Sequence, residues 1–175
     1  MKILTPTLNN LNEIMLIIHD AQNWFKENNI DQWQNNYPNK DTILNDMNNH
    51  EAYILVNDDD IIAYFALSFR GEITYNHIYD GSWSNNHDYA VIHRIVISNK
   101  YKGQGISKVL FKMIEDIISK HDIDTIRIDT HIDNYVMKNL LLKLNYKYTG
   151  IIYLLDNDSR IAFDKGLSIK VCKLL

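Results

Sequence analysis

Cysteine, proline and glycine are all scarce in this chain, which has 175 residues but only one cysteine, two prolines and six glycines. The single cysteine, Cys172, excludes an intrachain disulfide and fits a reducing, cytoplasmic setting. Basic residues are not in excess either: 22 acidic against 18 basic side chains give a formal charge of −4, so we expect no nucleic-acid partner. No apolar run approaches the ~18 residues of a membrane span, and the N-terminus lacks the apolar segment of a signal peptide.

The composition that remains is that of an ordinary globular protein, with 46% hydrophobic and 23% charged residues. A chain of this length usually folds around one core, and no period of about 20–50 residues marks a repeat protein. We therefore expect a single domain over residues 1–175. The seven histidines are scattered without the spacing typical of a metal site, so we expect no metal.

Helical and strand patterns alternate along the chain. The clearest helical periodicity covers residues 106–120, and two strand-like segments, residues 53–56 and 61–69, flank an Asn-Asp-Asp-Asp turn that predicts a hairpin. Residues 28–38 and 71–89 are predicted to be loops. The predicted order is one strand, two helices, three strands, and then helix, strand, helix and two strands. This order favours an α/β (α+β) domain with a mainly antiparallel sheet.

A Gly-x-Gly loop separates the β-branched strand predicted at residues 90–97 from the helix at residues 106–120. Glycines at positions 103 and 105 would let backbone N–H groups approach a ligand closely, and the helix directs its positive end to the same place. The loop therefore favours an anion site, most readily for phosphate, with a tight strand-to-helix turn as the alternative. It is neither a Walker A loop nor a Rossmann fingerprint, because Lys108 stands where the latter has its third glycine.

Two segments carry a family resemblance. The stretch from His93 to Ser107 resembles motif A of the GNAT superfamily of acyl-CoA-dependent N-acetyltransferases, whose loop reads Arg/Gln-x-x-Gly-x-Gly/Ala; here it is Lys102-x-x-Gly105-x-Ser107. The segment from Asn134 to Tyr146 resembles the family's motif B. Shorter segments, such as Gln32-Trp33 and Asp129-Thr130-His131, are similar to a bacterial subgroup of that superfamily.

This resemblance implies a mixed, mainly antiparallel seven-stranded sheet with about four helices, split between strands 4 and 5. It implies acetyl-CoA as co-substrate, with its pantetheine arm along Ile95, Val96 and Ile97 and the Ile97 N–H near the thioester carbonyl. Asn134 is expected to bond the pantetheine or a bridging water. The pyrophosphate is expected on the backbone amides of Lys102, Gly103, Gln104, Gly105, Ile106 and Ser107. A homodimer is common in the family.

His93 is the candidate general base. In a regular strand it would face the same side as Ile95 and Ile97, and an imidazole with a pKa near ~6.5 can accept a proton at neutral pH. The alternative is a half-buried histidine held by a hydrogen bond. Glu72, Asp80 and His131 are lesser candidates for the same role.

The general acid is harder to identify. The tyrosine that serves this role in the family falls on Leu141 here. Either the thiolate leaves unaided, since a thiol pKa near ~8.5 makes it a tolerable leaving group, or Tyr135, Tyr146 or Tyr148 replaces the missing tyrosine. The absence of this tyrosine is also compatible with a GNAT-like module that binds acyl-CoA without catalysis.

Aromatic residues in the predicted loops are candidates for an acceptor pocket, because aromatic rings bind amines by packing and cation–π contact. Trp33, Tyr37 and Trp83 are the candidates, whereas Trp24 lies on an apolar helical stripe and is expected in the core. The predicted activity is acetyl transfer from acetyl-CoA to the primary amine of a small molecule or peptide.

Overall fold

The computed structural model describes residues 1–168, and Cys172 lies outside them. These residues form seven strands and four α-helices, as the resemblance implies. The strands are β1 (Lys2–Leu4), β2 (Ala52–Asn57), β3 (Asp60–Ser68), β4 (Ala90–Ile97), β5 (Thr125–Thr130), β6 (Lys147–Tyr153) and β7 (Ser159–Gly166). The helices are α1 (Leu11–Glu27), α2 (Lys40–Asn48), α3 (Ile106–Ser119) and α4 (Tyr135–Lys143). No helix in residues 1–168 is both long and apolar enough to cross a membrane.

One sheet with the order β1-β2-β3-β4-β5-β7-β6 contains all seven strands. Every neighbouring pair is antiparallel except β4 and β5, which are parallel and joined by α3, as a crossover connection requires. This pair shares only two rungs, Ala90 with Ile126 and Val91 with Arg127. Beyond them the strands separate, so the sheet is split between strands 4 and 5, as expected.

Helices cover both faces of the sheet. On one face, α3 packs the buried side chains of Leu110 and Ile114 against Phe65 and Ile128. On the other, α1 packs Ile14 and Ile18 against the strands nearer the N-terminus. Burying an apolar side chain of this size stabilises the fold by roughly 1.5–3 kcal/mol. These two layers hold the edges of the split in place.

A β-bulge at Arg94 breaks the side-chain alternation of β4. Its φ is +52°, and the register passes from Ala66 opposite His93 to Tyr64 opposite Val96, which leaves one extra residue in β4. Ile92, Ile95 and Ile97 consequently all pack on the α3 face, whereas His93 follows Ile92 and points to the other face. The expectation that His93 shares a face with Ile95 and Ile97 was therefore wrong.

Candidate active site

The split between β4 and β5 opens into a cavity of about 1360 Å³. Ligand pockets for one small molecule typically measure roughly 300–1,000 Å³, so this cavity has room for two substrates. Most of the predicted site residues line it: Trp33, Tyr37, His93, Ile95, Val96, Ile97, Lys102, Gly103, Gly105, Ile106, Ser107 and Asn134. Of the described residues predicted for the site, Gln104 and Trp83 do not line it.

The glycine loop has the backbone form of an anion cradle. Gly103 and Gly105 have φ values of +77° and +75°, a left-handed region that glycine adopts without steric cost. No atom of the described chain lies within 4 Å of the position a Cβ would take at either glycine. No side chain of residues 1–168 caps α3 at Gly105, so the first N–H groups of the helix are available to an anionic ligand.

Side-chain hydrogen bonds fix the residues that precede and form this loop. The Tyr101 hydroxyl donates to Asp60 Oδ2 over 2.6 Å. Gln104 Nε2 donates to the Lys100 carbonyl over 3.0 Å, which explains why the Gln104 side chain turns away from the cavity. A role for Gln104 toward the ligand is thus limited to its backbone amide.

Two lysines, Lys102 and Lys108, also line this end of the cavity. Lys102 Nζ lies 5.7 Å from the centroid of the Trp24 ring, within cation–π range, and partial desolvation lowers the pKa of Lys102. Trp24 therefore lines the cavity, and the expectation that it belongs to the core was wrong. The neighbouring Phe25 takes the buried position, with 7% of its surface exposed.

The edge of β4 that faces the split has no strand partner after Val91 within residues 1–168. Ser98 N donates to Ile62 O on the β3 side over 2.8 Å. Successive N–H groups of an extended strand point to opposite edges, so the Ile97 N–H points into the split. An extended ligand arm could therefore pair with this edge like an added strand.

Asn134 caps α4 and is already bonded within the protein. Its Oδ1 accepts from Met137 N over 3.1 Å, and its Nδ2 donates to Gln32 Oε1 over 2.8 Å. Gln32 also accepts from Thr130 Oγ1 over 3.3 Å. The loop between α1 and α2 is thereby fastened across the split to β5 and α4, a role of Gln32 that the sequence did not reveal.

His93 lies beside a carboxylate. Its Nε2 is 3.5 Å from Glu72 Oε2, and 21% and 25% of the two side chains are exposed. Glu72 Oε1 accepts from both the backbone N–H and the hydroxyl of Thr74, over 3.1 and 3.0 Å. These bonds fix the carboxylate toward the imidazole.

The imidazole of His93 is neutral at physiological pH. Burial, together with the adjacent Arg94 charge, lowers the pKa of His93 to about 3, because both disfavour the imidazolium. The expectation of an ordinary pKa near ~6.5 was therefore wrong. The form that accepts a proton is present over the whole neutral range, but it is a weak base in the absence of substrate.

Asp129 is a further carboxylate of the cavity wall. Its Oδ1 accepts from the Tyr75 hydroxyl over 2.6 Å. Burial raises the pKa of Asp129, the hydrogen bond from Tyr75 opposes that change, and the charge of Glu72 adds to it. Sequence reasoning missed Asp129, although an acidic residue between Ile128 and Thr130 in a strand is an available signal.

Arg94 fixes Tyr37, one of the two predicted aromatic pocket residues that line the cavity. Its Nε and Nη2 each donate to the Asp46 carboxylate over 2.7 Å, and its Nη1 donates to the Tyr37 hydroxyl over 3.0 Å. Asp46, which is 2% exposed, also accepts from the Tyr64 hydroxyl over 2.6 Å. The ion pair with Asp46 and the hydrogen bond to Tyr37 together fix the Arg94 side chain and the position of Tyr37.

Trp33 and Trp83 have different surroundings. Trp33 lines the cavity and packs edge-on against Phe25, with 5.7 Å between ring centroids. Trp83 donates its indole N–H to Tyr75 O over 2.9 Å, and its ring lies 4.3 Å from the Arg127 guanidinium. These contacts hold Trp83 outside the cavity, so its prediction as a pocket residue is corrected.

The tyrosines that are candidates for the general acid lie in different parts of the fold. Leu141 is fully buried in the core, and Tyr146 is 2% exposed and packs against Phe111. Tyr148 is half exposed on β6 and does not line the cavity, whereas Tyr135, at the start of α4, does. Of the three tyrosines only Tyr135 is therefore in a position to meet a ligand.

The lesser base candidates Asp80 and His131 do not line the cavity, and His131 Nδ1 accepts from Asp133 N over 3.2 Å. Within the described part of the chain, no group of three or more His, Cys, Asp and Glu side chains is placed to hold a metal ion. The chemical groups of the cavity thus include an anion cradle, a strand edge, a neutral imidazole and the carboxylates of Glu72 and Asp129.

Comparison with known proteins agrees with this arrangement. The family model for the acetyltransferase (GNAT) family matches residues 18–146. A crystal structure of a GNAT-family acetyltransferase from Streptococcus agalactiae is 33% identical, with 95% of each chain covered and a TM-score of 0.85. No curated protein matches the sequence.

More distant solved structures share the fold. One is a putative acetyltransferase from Staphylococcus aureus, 21% identical, with 96% of this chain and 100% of that chain covered and a TM-score of 0.72. Another is a GNAT-family acetyltransferase from Listeria monocytogenes, 15% identical, with 95% and 94% covered and a TM-score of 0.73. The family match covers well over half of the sequence, and the Streptococcus agalactiae structure extends the likeness to nearly all of it. The chain therefore belongs to the GNAT acetyltransferase family.

Proposed function

We propose that the protein transfers the acetyl group of acetyl-CoA to a primary amine by direct attack of the amine on the thioester. The observation that carries this proposal is the composition of the cavity. One end has a glycine-lined anion cradle, and the middle has a free strand edge. The other end has a neutral imidazole, His93, beside the carboxylate of Glu72.

Backbone groups bind the co-substrate in this proposal. The amides of residues 102–107 hold the pyrophosphate, with the positive end of α3 and the charges of Lys102 and Lys108 in support. The unpaired edge of Ile95, Val96 and Ile97 pairs with the pantetheine amides. The amide of Asn134 keeps one N–H for the ligand while it caps α4.

The Ile97 N–H stabilises the negative charge that develops on the thioester oxygen. It points into the split because the next amide, Ser98 N–H, is bonded to the β3 side. A fixed donor of this kind contributes roughly 2.7–4 kcal/mol to transition-state stabilisation. The backbone thus supplies the oxyanion donor without a dedicated side chain.

His93 accepts the proton of the attacking amine. The amine nitrogen forms a bond to the carbonyl carbon, the carbon–sulfur bond breaks with its electron pair leaving on sulfur, and the ammonium proton passes to His93, directly or through water. Glu72, 3.5 Å from the imidazole, stabilises the imidazolium that forms. A thiolate with a conjugate-acid pKa near ~8.5 leaves without an acid, which fits Leu141 in place of the family's tyrosine.

The acceptor is a small-molecule or peptide amine, and the single cysteine supports a cytoplasmic setting for the reaction. The second candidate function is a non-catalytic acyl-CoA-binding module. The observation that favours it is the buried Leu141, which leaves no general acid at that position. The two proposals agree on acetyl-CoA and differ on whether an amine is consumed.

The test is an acceptor screen with acetyl-CoA, read by thiol release and by mass spectrometry of the product. We expect amine-dependent release of one CoA per acetylated amine. Reactions without an amine correct for slow hydrolysis, which both proposals allow. Tight CoA binding with no amine acetylated would favour the module, and absence of CoA binding would contradict both.

A further inference from the structure

We infer that the acceptor amine carries a second, non-reacting positive charge, which is bound by the carboxylate of Asp129 opposite His93. This inference rests on the proposed function and names the substrate class of the same site. The ligand class is an α,ω-diamine or another amine with a second cationic group a few bonds away. Three features of the cavity support it.

The first feature is the position of Asp129 across the split. The last rung between β4 and β5 joins Val91 to Arg127, and His93 and Asp129 each lie two residues beyond it. Both follow an isoleucine, Ile92 or Ile128, that packs in the same core cluster. Since side chains alternate along a strand, His93 and Asp129 lie on the same face, on opposite sides of the opening.

The second feature is the charge on this side of the cavity. The two arginines that line it are engaged with carboxylates of their own: Arg94 with Asp46 and Arg160 with Asp158. Among the described residues, the groups in direct polar contact with Glu72 and Asp129 are all neutral. Glu72 has Thr74 and the neutral His93, and Asp129 has the Tyr75 hydroxyl.

Within residues 1–168, neither Glu72 nor Asp129 forms an ion pair with a lysine or an arginine, and the charges of Arg160 and Arg94 act on Asp129 only without direct contact. The lysines of the cavity, Lys102, Lys108 and Lys143, lie on the loop before α3, on α3 and on α4. Helices α3 and α4 cover the opposite face of the sheet from His93, whereas the Lys102 ammonium lies over the Trp24 ring of α1, 5.7 Å from its centroid. Like charges held close together in a partly buried site are destabilising, and a bound cation removes that cost.

The third feature is that the reaction needs one group to accept the proton of the attacking amine and a different group to bind a cation. A carboxylate that binds the attacking ammonium directly holds it in the charged form, which cannot attack. The reacting nitrogen must therefore give its proton to His93, with Glu72 as the positioning residue. Asp129, bonded by Tyr75 and not by the imidazole, is free to bind a cationic group that does not react.

A matched series of acceptors tests this inference. The substrates are 1,3-diaminopropane and 1,5-diaminopentane against propylamine and pentylamine, at saturating acetyl-CoA. A hydrogen bond between an ammonium and a carboxylate is stronger than one between neutral groups, so we expect the diamines to have kcat/KM values about tenfold to 100-fold higher. A diamine has two equivalent amino groups that can react, and this gives it a statistical advantage over a monoamine. The expected preference for diamines is larger than that advantage.

Asp129→Asn is the matched variant. The amide oxygen can still accept from the Tyr75 hydroxyl, so the change removes the charge and keeps the hydrogen bond; CoA binding by calorimetry serves as the folding control. We expect the diamine preference to fall to the statistical value. A wild-type preference no larger than that value, or a preference that survives unchanged in Asp129→Asn, would overturn the inference.

Direct binding separates this inference from the proposed function. Calorimetry of the wild-type protein saturated with CoA should show each diamine binding about tenfold tighter than its matched monoamine, whether or not turnover occurs. Diamine-selective binding without acetylation would sink the proposed function and keep the charge assignment. Equal binding of the matched amines, or no binding of any, would refute the charge assignment itself.

Discussion

The two ends of the cavity use different parts of the polypeptide. The end proposed for the cofactor, here the cofactor end, is built from backbone: the amides of residues 102–107 and the unpaired edge of β4 after Val91. The end proposed for the amine, here the acceptor end, is built from side chains that come from separate segments, His93, Glu72, Asp129 and Tyr37. A backbone site is encoded in one short stretch, whereas the side-chain site depends on tertiary contacts between separate segments.

Removal of His93 should have the largest effect on turnover and none on the cofactor end. If His93 accepts the amine proton, His93→Ala should lower kcat/KM by roughly 10²–10⁴. CoA affinity, measured by calorimetry, should be unchanged, because in the proposed binding mode the backbone of residues 102–107 holds the pyrophosphate. The wild-type kcat/KM profile should also lack an acidic limb near pH 6–7, since the pKa of His93 is about 3.

Glu72→Gln gives the companion measurement for the acceptor end. The amide keeps the volume of the carboxylate and removes the charge that stabilises the imidazolium, so we expect a smaller loss of kcat than for His93→Ala. If a folded His93→Ala protein kept most of its activity, the base assignment would pass to Glu72 or to the substrate's own ionisation. A large loss of CoA affinity in either variant would contradict the claim that the two ends of the cavity bind different substrates independently.

Gly105→Asp should damage the cofactor end alone. Its Cβ meets no atom of the described chain within 4 Å, and Asp tolerates the left-handed region, so the fold should survive. The new carboxylate would repel the pyrophosphate, and we expect CoA binding to weaken by at least about 100-fold. Gly105→Asn is the matched neutral control.

The asparagine variant distinguishes charge from size. We expect Gly105→Asn to lose far less affinity than Gly105→Asp, with both measured by calorimetry at the same ionic strength. Equal losses would assign the effect to crowding of the cradle. Unchanged CoA affinity in Gly105→Asp would remove the phosphate site from the glycine loop.

The buried neutral state of His93 should also affect the stability of the protein. Its folded pKa, about 3, lies below the unfolded value of ~6.5, so the unfolded chain binds more protons between these values. The contribution of His93 to the free energy of unfolding is fully present above pH ~6.5. It is lost as the pH drops, by up to ~1.4 kcal/mol per pH unit. Urea unfolding between pH 7 and 5 should show a shallower dependence in His93→Gln, and identical slopes would contradict the low pKa.

Tyr135→Phe should have the smallest effect. Tyr135 lines the cavity, but thiolate departure needs no acid in this mechanism, so most of kcat should remain. Tyr146→Phe and Tyr148→Phe, outside the cavity, are the controls for nonspecific effects. A loss of about 100-fold at Tyr135, the low end for a general acid, would identify the acid that replaces the tyrosine absent at Leu141.

Local sequence patterns predicted the elements that frame the cofactor end. The helix expected at residues 106–120 is observed as Ile106–Ser119, and the helix expected at 134–144 as Tyr135–Lys143. Both have periodic apolar faces and a defined start, at Gly105 and at the Asn134 cap. These signals lie within a few residues of the structure they specify, so they can be recognised without knowledge of tertiary contacts.

The acceptor end could not be predicted in the same way. The bulge at Arg94 places a non-glycine residue at positive φ, and its guanidinium pairs with Asp46, 48 positions away in sequence. No local pattern predicts the bulge, which puts His93 on the other face from Ile95 and Ile97. Trp24 has the helical spacing of a core residue, and only the opening of the split shows that it faces the cavity.

A crystal structure of the wild-type protein with CoA tests the central claim most directly. The division of the cavity predicts the pyrophosphate on the amides of residues 102–107, the pantetheine along Ile95–Ile97, and the sulfur at the opening between His93 and Asp129. CoA bound elsewhere, or in the split with its sulfur on the α3 side and away from His93, would contradict the account.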